Sequence, residues 1–493
     1  MNLLSDIYDA IIKNKDLNAF CINGTFYSYN DLALCITNIR FEIQKHITDV
    51  YSIGLITNDD LPTYASIFAL WFEGKAYVPI NPKFPQQRNQ QIIDQSGIQY
   101  ILNSDTNFEK DNIKLIHTSL ACNSSKDVEL PKAIIEDQLA YIFFTSGTTG
   151  VPKGVPITLQ NLSAFVDAFN SMNYPITNTD RCLQMFELTF DLSVFSYLLP
   201  ILNGACVYTI PPDTIKYSYI YELLEDEEIS FALMVPSILH YLRPYFSEIH
   251  CPKLKYNLFC GEALPIDVVK EWSSCVPNAL IANVYGPTEC TIFCTDYTLN
   301  FDEIAHHNGV VAIGKPMKNT DILVVDENNN PVNIGNEGEL CLSGKQLTSG
   351  YWNNEEKNRE SFFWGESGTE KVKYYRTGDL CKADESGNLQ YLGRADFQAK
   401  IQGYRVELSE IEYEAKKAFP SINLVAVAFV DQLGNYEIGL CLEIEYCDTL
   451  SGINLLKDKL PQYMIPTKIK FLKEFPLNSN GKTDRKKIMG IFS

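Results

Sequence analysis

Downstream of Tyr51 the apolar and polar positions alternate in two kinds of segment. Residues 51–56, 76–80 and 99–102 are short apolar runs, and between them lie stretches of helical length, 61–72 and 86–95. Short apolar runs separated by helix-length segments predict βαβ units on a largely parallel sheet. Between Asp321 and Ser343 the rhythm changes to strand, Asn-rich turn and strand (Ile322-Leu323-Val324-Val325, then Gly338-Glu339-Leu340-Cys341-Leu342), which predicts a small antiparallel or barrel-like insert. A second break falls at Gly393-Arg394-Ala395-Asp396. Beyond it Ser409-Glu410-Ile411-Glu412 reads as a capping box at a helix start. Two apolar strands follow, 423–430 and 436–446, joined by the turn residues of 431–435.

The length, 493 residues, favours two or more domains with a large core. Charge sharpens the division. The chain carries 41 Lys+Arg against 61 Asp+Glu, net −20, but residues 397–493 hold 13 and 12, close to neutral. The asymmetry supports domains over 1–394 and 397–493 with a hinge near 396. An acidic protein repels a phosphate backbone at long range, so nucleic acid is not the expected partner. No stretch approaches the ~20 apolar residues of a membrane span, which argues against membrane insertion. The start, Met1-Asn2-Leu3-Leu4-Ser5-Asp6, lacks a basic n-region, and a cytoplasmic location is expected. The fourteen cysteines are scattered without a Cys-x-x-Cys, which suggests buried thiols rather than a zinc site or a disulfide framework.

The most informative stretch is an apolar strand, 139–144, running into Thr145-Ser146-Gly147-Thr148-Thr149-Gly150-Val151-Pro152-Lys153-Gly154. Such a loop can turn backbone N–H groups and hydroxyls toward a polyphosphate, with Lys153 supplying charge. It lacks the Gly-Lys-Ser/Thr ending of a Walker loop. With Ala76-Tyr77-Val78-Pro79-Ile80, Phe190-Asp191-Leu192-Ser193, Asn283-Val284-Tyr285-Gly286-Pro287-Thr288-Glu289, Tyr375-Arg376-Thr377-Gly378-Asp379, Gly403-Tyr404-Arg405-Val406-Glu407 and Asn480-Gly481-Lys482, the chain resembles the adenylate-forming ligase superfamily. Within it, the likeness is to nonribosomal peptide synthetase adenylation domains and stand-alone D-alanine:carrier-protein ligases. The resemblance implies an α/β fold: a large N-terminal domain of two α/β subdomains plus a small β-barrel, followed by a small mobile α+β C-terminal domain.

By that resemblance the reaction uses ATP and Mg²⁺ to adenylate an amino acid and then loads it onto the phosphopantetheine thiol of a carrier protein. Lys482 is the implied catalytic lysine, Glu289 the Mg²⁺ ligand, and Thr288 approaches the α-phosphate. Thr145, Ser146, Gly147, Thr148, Thr149, Gly150 and Lys153 are implied to hold the phosphates. Gly261, Glu262, Ala263, Asn283 and Tyr285 would surround adenine, Asp379 and Arg394 the ribose, and Asp396 would be the hinge. Asp191 would pair with the substrate's α-ammonium, its other reading being a helix cap. Leu192, Phe195, Leu233, Leu258, Cys260, Val284, Ile292 and Phe293 would line a side-chain pocket without a charged partner, fitting a small to medium apolar amino acid. Cys260 in Phe-Cys-Gly-Glu resembles the D-alanine ligases, whereas Val284, Cys290 and Phe293 depart from them and keep valine, leucine and proline as alternatives. A catalytically silent nucleotide-binding protein is a rival of another class, expected to lack Lys482 or Glu289. No carrier module follows Lys482, so the acceptor is expected to act in trans.

Overall fold

The computed structural model describes residues 2–105, 113–118, 128–133, 137–147, 151–212, 214–367, 370–396, 398–477 and 483–492. The alternation beyond Tyr51 folds as parallel strands Ser52–Ile56, Ala76–Ile80 and Tyr100–Asn103, with helices Leu61–Phe72 and Gln86–Ser96 between them. Asp60 starts the first helix by accepting a bond from the Thr63 amide at 2.9 Å. All twelve residues of that helix are buried, which is why its sequence shows no polar face. These strands belong to a six-stranded sheet ending in the antiparallel pair Leu139–Thr145 and Lys153–Thr158. The loop between that pair is the Gly/Thr-rich one.

A second, nine-stranded sheet has a parallel centre of Leu280–Tyr285, Tyr256–Phe259, Phe231–Met234, Arg181–Gln184 and Cys206–Thr209. Near-continuous burial of these strands explains their unalternating apolar sequence. The main apolar core spans both α/β sheets, and a second, smaller one packs the helix Gln86–Ser96 on the other face of the six-stranded sheet. At the change of rhythm, Thr320–Val325 and Gly338–Gly344 pair antiparallel and join Phe362–Ser367, Glu370–Ala383 and Leu389–Arg394 in a five-stranded sheet.

Beyond residue 397 come the hairpin Gln398–Ile401/Tyr404–Glu407, the helix Leu408–Ala418 and a sheet of Leu424–Val430, Tyr436–Glu443 and Lys468–Leu472, with a core of their own. The 431–435 turn is closed by Asp431, whose carboxylate accepts from the Leu433 and Asn435 amides. The capping box is corrected. The helix begins two residues earlier, at Leu408, with Glu407 as its uncapped N-cap; Ser409 lies inside the first turn and Glu410 points into the larger domain. Among the described residues no helix is long and apolar enough to cross a membrane.

Candidate active site

The C-terminal ends of the central strands and the Gln398–Glu407 hairpin enclose a cavity. Tyr285 ends its strand there, and its hydroxyl donates to Asp379. Arg394 Nη1 donates to the same Asp379 carboxylate at 2.6 Å, while its Nε donates to Asp396 at 2.6 Å. Burial favours protonation of Asp396, but the Arg394 guanidinium outweighs it and holds that carboxyl below its ordinary range. Asn283 spends its amide donor on the Ala312 carbonyl at 3.0 Å, so its side-chain oxygen is the atom it can offer a ligand. Glu262 accepts from the Ser237 amide at 2.8 Å and the Gly403 amide at 2.9 Å, and Gly261 and Ala263 flank it in the turn after Tyr256–Phe259. Lys400 Nζ stands 5.1 Å from the centroid of the Tyr285 ring.

The Gly/Thr-rich loop is met by groups of the C-terminal domain. Ser146 Oγ donates to the Arg405 carbonyl at 2.7 Å and accepts from the Glu407 amide at 3.2 Å. The Gly147 amide donates to Glu410 Oε2 at 3.1 Å, and Arg88 Nη1 donates to the other oxygen of that carboxylate at 2.7 Å. Lys153 Nζ pairs with Glu407 Oε1 at 3.2 Å. A Cβ at Gly147 would fall 2.0 Å from the Val151 carbonyl oxygen, so the tight loop admits only glycine there. Glu289, fully buried, receives Arg405 Nη1 on both oxygens at 3.0 and 2.9 Å and the Tyr351 hydroxyl at 2.6 Å. Burial would raise its pKa, but Arg405 and Lys153 overcome that and hold it at about 2. Thr148, Thr149, Gly150 and Lys482 lie outside the described residues.

At the other end Asp191 precedes the helix Leu192–Leu202 but makes no capping bond with its side chain. Its carboxylate is 3% exposed and its Oδ2 has no hydrogen-bond partner. Burial pushes its pKa up to about 7, although the Thr288 hydroxyl and the Ile292 and Leu192 amides favour the charged form. Thr291 and Ile292 are held at φ +50° and +73°, a conformation that costs a β-branched residue on the order of 1–3 kcal/mol and recurs at ligand sites. Leu192, Cys260 and Ile292 line the cavity with Asp191, Thr288, Tyr285, Asp379 and Arg394. Burial pushes the Cys260 thiol up to about 12, so it stays protonated and acts as a small apolar contact. Phe195, Leu233, Leu258, Val284 and Phe293 do not reach the cavity and are buried in the core behind it.

Sequence reasoning does not single out Arg405, Glu407 and Glu410 as partners of the Gly/Thr-rich loop and Glu289. They lie about 260 residues from Ser146, and neither local pattern nor charge spacing encodes so distant a pairing. The one available signal is the opposite charge of Lys153 and Glu407, which is common to many pairs in the chain.

The residues fit a nucleotide with its metal. Thr145 Oγ1, like Asp191 Oδ2, is a buried polar atom without a partner, and Glu289, whose two oxygens here receive Arg405, would offer Mg²⁺ a hard oxygen of the kind it shares with phosphates once that guanidinium withdraws. A family model described as AMP-binding enzyme matches residues 13–352. The D-alanine–D-alanyl carrier protein ligase of Bacillus licheniformis is 31% identical over 99% of both chains. Gramicidin S synthase 1 of Brevibacillus brevis is 32% identical over 97% of this chain, which spans only 43% of that relative's length. Among solved structures, the Vibrio cholerae adenylation domain AlmE, in complex with glycyl-adenosine-5'-phosphate, superposes with a TM-score of 0.87 over 99% of this chain and 97% of its own, at 24% identity.

Proposed function

Because this chain belongs to the AMP-binding enzymes of the adenylate-forming ligase superfamily, we propose that it activates a small apolar amino acid with ATP and transfers it to the phosphopantetheine thiol of a carrier protein, D-alanine being the leading substrate. The observation that carries this reading is the lone oxygen of Asp191. A buried carboxylate with an unpartnered oxygen, in the same cavity as Tyr285, Asp379 and Arg394, offers an α-ammonium its counter-charge. With the ammonium at Asp191 and the ribose at Asp379 and Arg394, the substrate's own carboxylate falls between them, beside Thr288.

In the first half-reaction a carboxylate oxygen of the amino acid attacks the α-phosphorus and pyrophosphate leaves. Asp191 holds the ammonium, Tyr285 and Asn283 the adenine, and Asp379 with Arg394 the ribose, so attacker and target are oriented before reaction. Thr288 and the phosphate loop stabilise the charge gathering on the phosphoryl oxygens. When bound on Glu289, Mg²⁺ neutralises phosphate charge. Lys482 is assigned the bridge between substrate carboxylate and nucleotide.

In the second half-reaction the thiol sulfur attacks the acyl carbon, losing its proton, and AMP leaves. A groove of about 420 Å³ between the domains, bordered by Val235, Tyr241, Gln402 and Tyr404, ends at Phe190, which also borders the cavity. It supports entry of the pantetheine arm with the hairpin in its present place. Asp396 is the assigned hinge between this arrangement and the one in which Lys482 enters. A reaction fed by ATP fits the cytoplasm.

Amino-acid-dependent exchange of pyrophosphate into ATP tests the reading. Exchange is expected with D-alanine or another small amino acid, and Lys482→Ala is expected to abolish it while sparing transfer from adenylate supplied ready-made. Absence of exchange with every amino acid would refute the proposal.

A further inference from the structure

The two domains also meet away from the cavity, on the segment that leads into the helix Gln86–Ser96. Asn81 braces that segment, accepting from the Lys83 amide on its side-chain oxygen at 2.9 Å and from Asn89 Nδ2 on its carbonyl at 2.8 Å. Pro82 and Pro85 stiffen it further. From this braced segment Phe84 meets the Tyr463 ring edge-on at 6.3 Å, and Arg88, 4% exposed, donates to Glu410, 1% exposed, at 2.7 Å. Gln87 accepts from Lys459 beside them. Tyr463 in turn lies flat on Tyr404, with centroids 3.9 Å apart and planes 2° apart, and Tyr404 stacks on Phe190 at 5.7 Å. Phe84 and Phe190 of the larger domain thus enclose Tyr463 and Tyr404 of the smaller one in a single column of rings. Tyr404 and Tyr463 border the groove between the domains, whereas Phe84, Arg88 and Tyr463 do not line the cavity.

We propose that Arg88 and Tyr463 are positioning residues for the second half-reaction, holding Tyr404 and the docked hairpin against the groove while the thiol enters, and that they take no part in adenylation. The proposal rests on reading the groove as the thiol's entrance. A guanidinium and a carboxylate this deeply buried are tolerated only as a pair, and the two belong to different domains. When the domains part, both regain water. Loss of Arg88 therefore penalises the docked arrangement alone, where Glu410 would be left buried without its partner. The ring column adds attraction with a defined geometry, which fixes the register of one surface on the other.

The test separates the half-reactions in the full chain. Amino-acid-dependent pyrophosphate exchange reads the first, and single-turnover acyl transfer from preformed aminoacyl adenylate to pantetheine reads the second, with a fluorescence energy-transfer pair across the domains recorded on the same variants. Arg88→Met is expected to slow acyl transfer by about 100-fold or more and to lower the energy-transfer efficiency, with exchange kept within about twofold of the unaltered chain. Arg88→Met/Glu410→Gln removes both charges and should recover about tenfold or more of that loss. Tyr463→Ala should slow acyl transfer about tenfold, while Tyr463→Phe, which keeps the ring, should leave it unchanged. Equal loss in both half-reactions, an acyl-transfer rate unmoved in Arg88→Met, or no recovery in the double variant overturns the positioning role and leaves the adenylation reading standing. Should Arg88→Met fail to fold, Tyr463→Ala set against Tyr463→Phe still decides the point. Exchange with no amino acid at all refutes the functional reading, and this inference with it.

Discussion

Asp191 concentrates the tension of the site in one carboxyl group. Burial pushes its pKa up to about 7, so below that pH the carboxyl holds its proton and has no charge to offer an ammonium. The amino-acid KM is therefore expected to rise as pH falls through 7, approaching tenfold for each further pH unit, and initial rates across a pH series will read it. Asp191→Asn should remove that dependence and raise KM by about 100-fold or more, since loss of one partner from a buried charge pair costs on the order of 3–5 kcal/mol. The same substitution should stabilise the substrate-free protein. A carboxyl whose folded pKa exceeds its ordinary 3.8 contributes stability that is present below 3.8 and lost as pH rises through 7. The melting temperature of Asp191→Asn, compared with the unaltered chain at pH 8, should be higher; a lower value would mean that Asp191 is already paired.

At the scale of elements, the hairpin Gln398–Glu407 joins the two domains. Its tip glycine, Gly403, has φ +84°, and a Cβ there would fall 2.6 Å from Val235 Cγ1. Gly403→Ala is expected to spare pyrophosphate exchange, which does not need the hairpin docked, and to slow carrier loading by about 100-fold, as single-turnover assays of each half-reaction will show. Equal loss in both would argue against a role confined to thiol transfer. The hairpin also marks how far the sequence can be read. Gly403-Tyr404-Arg405 stands out as a motif, and the parallel strands before residue 103 follow from apolar runs alone, because burial on both faces is a local property. The helix start at Leu408 is not legible, because Ser409 and Glu412 satisfy a local capping rule that a long-range contact, Glu410 to Arg88 and the Gly147 amide, overrides. Motif order sets Phe195 and Phe293 among the pocket residues, but they lie in the packed core and do not line the cavity, a placement no local pattern encodes.

Across the whole molecule, the two domains meet through the same donors that the proposed reaction assigns to ATP. Glu407 and Glu410 take Lys153 and the Gly147 amide, and Arg405 covers both oxygens of Glu289. MgATP and this docked arrangement therefore compete. A fluorescence energy-transfer pair placed across the two domains should report undocking on addition of MgATP, with the midpoint shifted to lower ATP in Glu407→Gln/Glu410→Gln. Arg405→Ala should undock the domains even without nucleotide, because it leaves Glu289 buried without its direct ion-pair partner in the closed form; an unchanged transfer efficiency would contradict that. On the proposed assignment pyrophosphate, once formed, would hold these same groups, so redocking would wait for the by-product to depart. Thioester output would then follow how fast the surroundings hydrolyse pyrophosphate, and the enzyme would work as a ratchet whose pawl is a by-product: clearing pyrophosphate would drive it forward, and accumulation would hold the hairpin out and run the first step in reverse.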